Sequence, residues 1–179
     1  MSRIVVLEGS MRKDGNTHAL VRSFAEGASR NNTVSILTVA DLDIVPCTGC
    51  NWCYGSEGNR CRIDDDMQLV YEELAQTDVL VIASPVYFYG VSARLKAIVD
   101  RLHTPMRNTF KISKLALLLV GATELPDLFD PIILQYRMAV RFFGLGDIGI
   151  VTVGGVRDAG DIAGNKALKD AYDLGSSIR

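Results

Sequence analysis

All four cysteines of this chain lie between positions 47 and 61. Cys47, Cys50 and Cys53 are separated by two residues each, and Cys61 follows after seven more. This spacing suits a cubane iron-sulfur cluster, because tight turns present three thiolates to three irons and a longer arm supplies the fourth. A zinc site, disulfides and free thiols remain open, although zinc ribbons usually carry two separated Cys-x2-Cys pairs.

A second candidate site is the segment from position 9 to 17, which is rich in glycine and in hydroxyl and amide side chains. Small residues let the backbone wrap around a phosphate, and the free amides at the start of a helix attract it. Ser10, Asn16 and Thr17 add side-chain donors, and Arg12 offers a charge-assisted hydrogen bond. The alternative is a set of turn and cap residues. The Walker pattern is absent, which argues against a nucleoside triphosphatase.

A third segment, from position 84 to 92, carries three consecutive aromatic residues in a loop. Aromatic side chains are costly to leave in water, so we expect a flat or apolar group to cover them. Pro85 and Gly90 would stiffen and bend this loop so that its amides face a planar heterocycle, unless core packing alone clamps it. Gly121 and Thr123, after a later apolar run, are expected to form a further wall.

Short apolar runs alternate with amphipathic stretches along the chain, as in βαβ units. Strands are predicted over 4–8, 33–39, 78–84, 115–121 and 147–153. Helices are predicted around 20–28, 67–74, 95–102, 131–143 and 164–178, with Ser92 as a cap. Right-handed crossovers then favour a doubly wound sheet of order 2-1-3-4-5. The ligand crevice of that order lies between strands one and three, where the second and third candidate segments begin.

Several other features are assigned structural roles. The acidic run Asp64–Asp66 is predicted to cap the helix that follows it. The glycine motif at 144–149 ends a helix and enters a strand, so it is interpreted as a helix C-cap and not a dinucleotide fingerprint. His18 and His103 are not expected to serve a metal or a catalytic triad. Tyr136 and its neighbours on the same helix are expected to face solvent or a partner subunit.

The composition is 48% hydrophobic with a net charge of -2, and it contains no basic run. Nucleic acid and anionic membranes are therefore not expected as partners. The apolar part of the N-terminus is too short for a signal peptide, and no apolar stretch is long enough to span a bilayer. We expect a cytoplasmic protein with one domain over residues 1–179, containing a cysteine-rich loop at 46–61.

The two loops together resemble the NADPH-dependent FMN reductase branch of the flavodoxin-like superfamily. The resemblance implies a three-layer α/β sandwich that binds FMN, with NAD(P)H as a possible substrate. It implies phosphate positions at Ser10, Arg12, Gly15, Asn16 and Thr17. It implies positions near the isoalloxazine at Pro85, Val86, Tyr87, Phe88, Tyr89 and Gly90, with Gly121 and Thr123 on the same edge.

The cysteine spacing, followed by Asp65-Asp66-Met67, resembles the iron-sulfur flavoproteins of the same branch. This resemblance implies a [4Fe-4S] cluster on the four cysteines that exchanges electrons with FMN and with a small-molecule or ferredoxin-type partner. It also implies a homodimer or homotetramer. The alternatives are a cluster-free NAD(P)H-dependent flavin or quinone reductase and a non-enzymatic electron carrier. No catalytic side chain is predicted, since the flavin would supply the chemistry.

Overall fold

A computed structural model describes residues 1–179, which form a five-stranded parallel sheet of order 2-1-3-4-5. The strands are β1 (Arg3–Glu8), β2 (Thr33–Thr38), β3 (Val79–Pro85), β4 (Lys114–Val120) and β5 (Gly146–Val153). The predicted strand order is confirmed, and no strand end differs from its predicted position by more than one residue.

Helices cover both faces of the sheet, as the three-layer prediction requires. They are α1 (Asn16–Ala28), α2 (Met67–Ala75), α3 (Ala93–Arg101), α4 (Asp130–Phe143) and α5 (Lys166–Ser176). One core lies between the sheet and α1 with α5, and the other lies between the sheet and α2, α3 and α4. None of these helices is long and apolar enough to cross a membrane.

The alternating direction of side chains along a strand divides the apolar runs between the two cores. In β1, Ile4 and Val6 belong to the core under α1 and α5, while Val5 and Leu7 belong to the opposite core. The β4 residues alternate in the same way. Central parallel strands are covered on both faces, which explains why they are apolar throughout.

Helices α1 and α5 pack with their backbones in direct contact through two glycines. A Cβ atom on Gly27 would lie 2.1 Å from the carbonyl oxygen of Tyr172, and one on Gly175 would lie 2.2 Å from that of Phe24. Any larger residue would force the helices apart. The contact therefore fixes the position of α1, whose first turn follows the loop after β1.

The prediction for Tyr136 is wrong, because this side chain is buried against the sheet. Its hydroxyl lies 2.9 Å from the Leu115 carbonyl oxygen and 2.6 Å from a carboxylate oxygen of Asp147. Burial, together with that carboxylate, raises the pKa of Tyr136. The C-cap prediction is confirmed, since Gly144 ends α4 with a φ of 64°, a left-handed conformation that favours glycine.

Candidate functional site

The loops that follow β1 and β3 lie side by side at the carboxyl edge of the sheet. The Gly9 amide donates a hydrogen bond to the Ala83 carbonyl at 2.7 Å, which extends the pairing of the two strands. A Cβ atom at Gly9 would lie 2.9 Å from Leu95 and 3.0 Å from the Ser92 hydroxyl oxygen. Glycine therefore lets the first loop pass directly over the start of α3, and it brings two of the predicted segments together.

The first turn of α1 presents free hydrogen-bond donors to this edge. Gly15 is its N-cap and provides no side-chain cap, and the amides of Asn16, Thr17 and His18 have no acceptor within the chain. The Thr17 side chain is buried but makes no hydrogen bond to the protein. Unpaired amides at the positive end of a helix dipole form a concavity suited to an anion.

Ser10 shapes the backbone of this concavity. Its buried hydroxyl oxygen accepts a hydrogen bond from the Arg12 amide at 3.1 Å, and the hydroxyl lies 3.2 Å from the Arg12 carbonyl oxygen. The serine thus closes a short turn, with its oxygen close to the α1 N-terminus.

Two predicted phosphate contacts bind a different loop. The Asn16 side-chain amide donates to the Asp158 carbonyl at 2.9 Å, and its oxygen accepts from the amides of Gly160 and Ile162 at 3.2 and 3.3 Å. Arg12 donates through Nη1 to the Arg157 carbonyl at 3.2 Å and is exposed. The Asn16 side chain is therefore fully used in contacts with the loop at 158–162, and only the backbone amide of Asn16 is free to bind an anion. Sequence reasoning missed this role, because no local pattern pairs the start of α1 with the loop after β5.

The segment after β3 is closed at its base by two serines. The Ser84 hydroxyl donates to the Pro85 carbonyl at 2.8 Å, and its oxygen accepts from the Ser92 amide at 3.0 Å. Ser92 in turn caps α3 by accepting from the Leu95 amide at 3.4 Å, as predicted. The Val86 amide continues the sheet by donating to the Val120 carbonyl at 2.8 Å. The base of the segment is therefore rigidly held.

The tip of that segment is a tight turn built from aromatic residues. Tyr87 and Gly90 exchange two backbone hydrogen bonds of 2.9 and 3.1 Å, and the residues between them, Phe88 and Tyr89, have φ values of 49° and 64°. Positive φ at both central positions is the signature of a type I′ turn, which normally uses Asn and Gly. Bulky residues in this region are strained, and such strain clusters at functional sites. The Phe88 side chain is 98% exposed.

The third predicted wall lies on the same edge. The Gly121 amide donates to the Val153 carbonyl at 2.8 Å, and a Cβ on Gly121 would lie 2.3 Å from Leu128. The Thr123 carbonyl accepts from the Gly155 amide at 3.1 Å, while its side chain is exposed. The structure thus gathers the three predicted loops at one edge of the sheet.

A carboxylate and a histidine adjoin the first loop, and sequence reasoning missed their pairing. Glu8, the last residue of β1, is 1% exposed. Its carboxylate accepts from the Thr38 hydroxyl at 3.2 Å and lies 3.2 Å from Nδ1 of His18. The sequence carries no local signal for this pairing, because Glu8 and His18 lie at opposite ends of the loop between β1 and α1.

The cysteine loop leads away from this edge along α3. Arg94, near the start of α3, donates to the Leu42 carbonyl at 3.1 Å, and Arg101, at its end, donates to the Val45 carbonyl at 3.2 Å. A helix of nine residues is about 13 Å long. The cysteines that follow therefore lie toward the far end of α3 from the aromatic turn.

The four cysteines line one cavity of about 790 Å³. Its other walls are mainly apolar and come from the sheet, from the end of α3 and from α4, represented by Leu80, Leu115 and Phe142. The cavity lies between α3 and α4. It forms no part of the edge that holds the phosphate and aromatic loops.

The thiols within this loop differ in environment. Cys47 and Cys50 are exposed, Cys53 and Cys61 are half-buried, and all four are free. Hydrogen bonds from the Trp52 amide and the Thr48 hydroxyl lower the pKa of Cys50 below its ordinary value, since they favour the thiolate. No three His, Cys, Asp or Glu side chains lie close enough together to hold a metal ion. The predicted cluster is therefore not assembled by this arrangement and stays a prediction.

A buried ion pair anchors the loop to α3. Arg101 and Asp65 have side chains that are 1% and 8% exposed, and their Nη1 and Oδ2 atoms are in contact. Burial disfavours the Asp65 carboxylate, but Arg101 and the amides of Val45 and Met67 outweigh it and lower the pKa of Asp65. The Met67 bond, at 3.1 Å, is the helix cap predicted for the acidic run. The run therefore caps α2 as predicted, and it also ties the cysteine loop down.

Taken together, the sheet order and the phosphate-type loop beside an aromatic turn define a flavodoxin-like protein. Residues 2–126 match the family described as NADPH-dependent FMN reductase, and the chain belongs to that family. The predicted family and fold are confirmed.

Relatives and solved structures agree with this assignment. An iron-sulfur flavoprotein of Methanocaldococcus jannaschii is 36% identical over 111 residues, covering 62% of this chain and 56% of that protein. A putative NAD(P)H-dependent FMN-containing oxidoreductase of Bacillus subtilis is 25% identical over 180 residues, covering 96% of each chain. The NAD(P)H:quinone oxidoreductase of Methanothermobacter marburgensis shares the fold, with a TM-score of 0.75 at 18% identity over 98% of this chain and 96% of that chain. The chain spans about half the length of the first iron-sulfur flavoproteins that it matches.

Proposed function

We propose that this chain binds FMN at the carboxyl edge of the sheet and works as an FMN-dependent oxidoreductase that uses NAD(P)H or a ferredoxin-type donor. The observation that carries the proposal is the free N-terminus of α1, which lies beside the strained aromatic turn at Phe88 and Tyr89. One feature suits a phosphate and the other suits a planar ring. The family match supports FMN as the molecule that combines them.

The phosphate is assigned to the concavity of the first loop. The amides of Asn16, Thr17 and His18 supply donors along the helix dipole, and the Thr17 hydroxyl supplies another. Ser10 holds the turn that faces them. Arg12 is exposed and adds positive charge beside this loop, while its Nη1 donates to the Arg157 carbonyl.

The isoalloxazine is assigned to the segment from Pro85 to Gly90. When bound, FMN supplies the hydride or electron chemistry, and the chain orients the ring and excludes water from it. Exposed aromatic side chains provide the apolar cover, and the Ser84 and Ser92 hydrogen bonds keep the segment in place. No side chain is needed as an acid or base, so none is named as catalytic.

A [4Fe-4S] cluster on Cys47, Cys50, Cys53 and Cys61 is the second part of the proposal. Its support is the cysteine spacing, the shared cavity, the donors around the Cys50 sulfur and the names of several relatives. The donor set therefore suits a cluster in its chemistry. The loop would have to draw its sulfurs together, since they do not converge.

A cluster-free NAD(P)H-dependent flavin or quinone reductase is the alternative. It is favoured by the separated thiols and by the Bacillus subtilis relative, which matches along nearly the whole chain. A non-enzymatic electron carrier is a third possibility, which steady NAD(P)H oxidation by the pure protein would exclude.

We also propose a homodimer or homotetramer. Leu134, Met138 and Phe142 recur every four residues along α4, and all three are exposed. An apolar stripe of this kind is a common subunit contact. Light scattering of the purified protein measures the number of subunits directly.

FMN binding tests the central proposal. Thr17→Val removes one hydroxyl at nearly constant volume, and Thr33→Val does the same on an exposed residue at the opposite edge of the sheet. We expect wild-type protein to quench FMN fluorescence, and Thr17→Val to bind FMN about tenfold more weakly, because a hydrogen bond to a charged group is lost. Thr33→Val should match wild type. Unchanged FMN fluorescence with wild-type protein would overturn the proposal.

Anaerobic purification distinguishes the two reductase forms. A broad visible shoulder beyond the flavin bands, with iron and sulfide at about four per chain, supports the cluster. Flavin bands alone, with steady NAD(P)H oxidation, support the cluster-free reductase.

A further inference from the structure

Glu8 is a buried carboxylate at the base of the proposed phosphate site. Ile4 and Val6 of β1 face the core under α1, so the alternation of side chains along the strand directs Glu8 toward α1 as well. The Glu8 side chain is 1% exposed, and the next residue, Gly9, begins the loop that leads to α1. A buried carboxylate requires a compensating charge. Without one, Glu8 would repel the phosphate that this loop is proposed to hold.

His18 is the side chain that can supply this compensation. Its Nδ1 atom lies 3.2 Å from Oε1 and 3.3 Å from Oε2 of Glu8, and the Thr38 hydroxyl donates to Oε2 at 3.2 Å. The His18 side chain is 32% exposed, so its ring can exchange protons with the solvent. Histidine is the side chain whose charge ordinarily changes between about pH 5 and 8. The net charge of the Glu8–His18 pair therefore depends on one proton.

The other charged side chains at this edge of the sheet are exposed to water. Lys13 pairs with Asp41 at 3.0 Å, and both are exposed. The others are in the first loop, on the next turn of α1 and in the loop after β5, namely Arg12, Asp14, Arg22, Arg157, Asp158 and Asp161. Water and salt screen exposed charges, but they screen a buried carboxylate much less. His18 is the only residue in ion-pair contact with Glu8.

We propose that His18 is a phosphate-recognition residue that acts in its protonated form, so that FMN binds together with one proton. The inference rests on the proposed function, because it requires the phosphate at the N-terminus of α1. His18 is the third residue of that helix, and its amide is one of the free donors, so the residue itself lies at the proposed anion site. Glu8 is a positioning residue, since it holds the ring through Nδ1.

The proton changes the charge that the phosphate meets. With the proton on His18, the Glu8–His18 pair is neutral, and the free amides of α1 attract the anion unopposed. Without it, the pair carries one negative charge beside the phosphate. FMN should therefore bind the protonated pair more tightly, and by linkage its binding takes up a proton from the solvent. Riboflavin has the same ring but no phosphate, so its affinity should not depend on this proton.

The test measures the dissociation constants of FMN and riboflavin by fluorescence titration from about pH 6.5 to 8.5. The variants are His18→Gln, which keeps a donor for Glu8 but has no charge, and His18→Lys, which is charged throughout this range. His103→Gln is the matched control, because His103 is an exposed histidine that contacts the Tyr54 hydroxyl just after α3. The second ionisation of the phosphate, near about pH 6, is common to all variants and cancels in the comparison with wild type.

We expect the FMN affinity of wild type, relative to that of riboflavin, to fall about tenfold across this range, because one charge beside the phosphate is lost. His18→Gln should bind FMN about tenfold more weakly than wild type at the acid end and should lose the pH dependence. His18→Lys should keep the acid-end affinity of wild type across the whole range. His103→Gln should match wild type.

Two kinds of negative result are distinguishable. Wild-type protein that binds neither flavin would overturn the proposed function and this inference together. A wild type that binds FMN, but whose affinity for FMN relative to riboflavin does not fall with pH, would overturn this inference alone. So would a His18→Gln protein, or a His18→Lys protein where only that variant folds, whose relative affinity follows that of wild type at every pH.

Discussion

The Ser84 hydroxyl oxygen accepts a hydrogen bond from the Ser92 amide at 3.0 Å. This bond joins the end of β3 to the N-cap of α3 across the segment that carries the aromatic turn. Both serines are buried, so the bond is not replaced by water. The Ser84 oxygen is thus the side-chain contact that ties the two ends of the proposed ring-binding segment together.

Replacing Ser84 with alanine is expected to loosen that segment. The Ser92 amide would be left buried without an acceptor, which costs about 1–3 kcal/mol. We expect FMN affinity to fall about tenfold in a fluorescence titration. Ser176→Ala is the control, because its hydroxyl bonds the Asp173 carbonyl at an exposed helix end. Equal affinity in the Ser84→Ala and wild-type proteins would contradict the prediction.

We expect the aromatic turn to lower the stability of the fold while it contributes to FMN binding. The double variant Phe88→Asn with Tyr89→Gly places the preferred type I′ residues at positions with φ of 49° and 64°. We expect the free energy of unfolding to rise by about 1 kcal/mol in urea, because the backbone strain is relieved. FMN affinity should fall because the aromatic cover is lost.

Replacing both Phe88 and Tyr89 with alanine is the matched control for this trade-off. It removes the rings but keeps a non-glycine residue at each positive φ, so it should weaken FMN binding without the gain in stability. A double variant with Asn and Gly that binds FMN as tightly as wild type would argue against the turn as a ring-binding element.

Acid should weaken the fold partly through Asp65. Its pKa in the folded protein lies below the ordinary value of 3.8. A depressed carboxylate pKa contributes stability that is complete well above the unfolded value and is lost as the pH falls through it toward the folded pKa. Asp65→Asn should therefore lose about 3 kcal/mol at pH 7, because Arg101 is left unpaired, and its stability should fall less steeply between about pH 5 and 3.

Urea unfolding at a series of pH values measures both effects. Asp66→Asn is the neighbouring control, since Asp66 is bound by the Asp43 amide at 2.7 Å and has no ion pair. Stability curves for Asp65→Asn and wild type that run parallel through the acid range would contradict the assignment.

The glycine contact between α1 and α5 should be intolerant of any side chain. Gly27→Ala would place a methyl group 2.1 Å from the Tyr172 carbonyl oxygen, so the helices must separate. We expect a loss of about 2–3 kcal/mol in the free energy of unfolding. Gly55→Ala is the control, because it has negative φ and no atom within 4 Å of the added carbon. If the free energy of unfolding of Gly27→Ala, measured in urea, equalled that of wild type, the two helices would be able to separate without loss of stability.

The sheet order and the position of the loops were predictable because they follow from local patterns. Continuous apolar runs mark central strands, and glycine with hydroxyl residues after β1 marks a helix start. Contacts that join distant segments were not predictable in this way. The Asn16 side chain reaches the loop after β5, and Gly175 meets α1, yet neither has a signal in its own neighbourhood.

Two further differences arise from tertiary packing. Tyr136 was expected at the surface, but the helix turns it toward Leu115 and Asp147, where its hydroxyl finds acceptors. The cysteine spacing predicts a shared ligand, whereas the loop backbone is held by Asp65 and Arg101 with its thiols apart. The spacing of the cysteines limits which sulfur atoms could approach one another, but it does not determine the conformation of the loop that carries them.

The hydrogen bonds of the Asn16 side chain connect the first turn of α1 to the loop after β5. The loop that it contacts lies beyond the part of the chain that carries the family match, residues 2–126. Substitutions in the loop at 158–162 would shift the first turn of α1 and so change the proposed affinity for a phosphate, although every residue of the family match at 2–126 stayed the same. A comparison confined to residues 2–126 would miss such differences between members of the family.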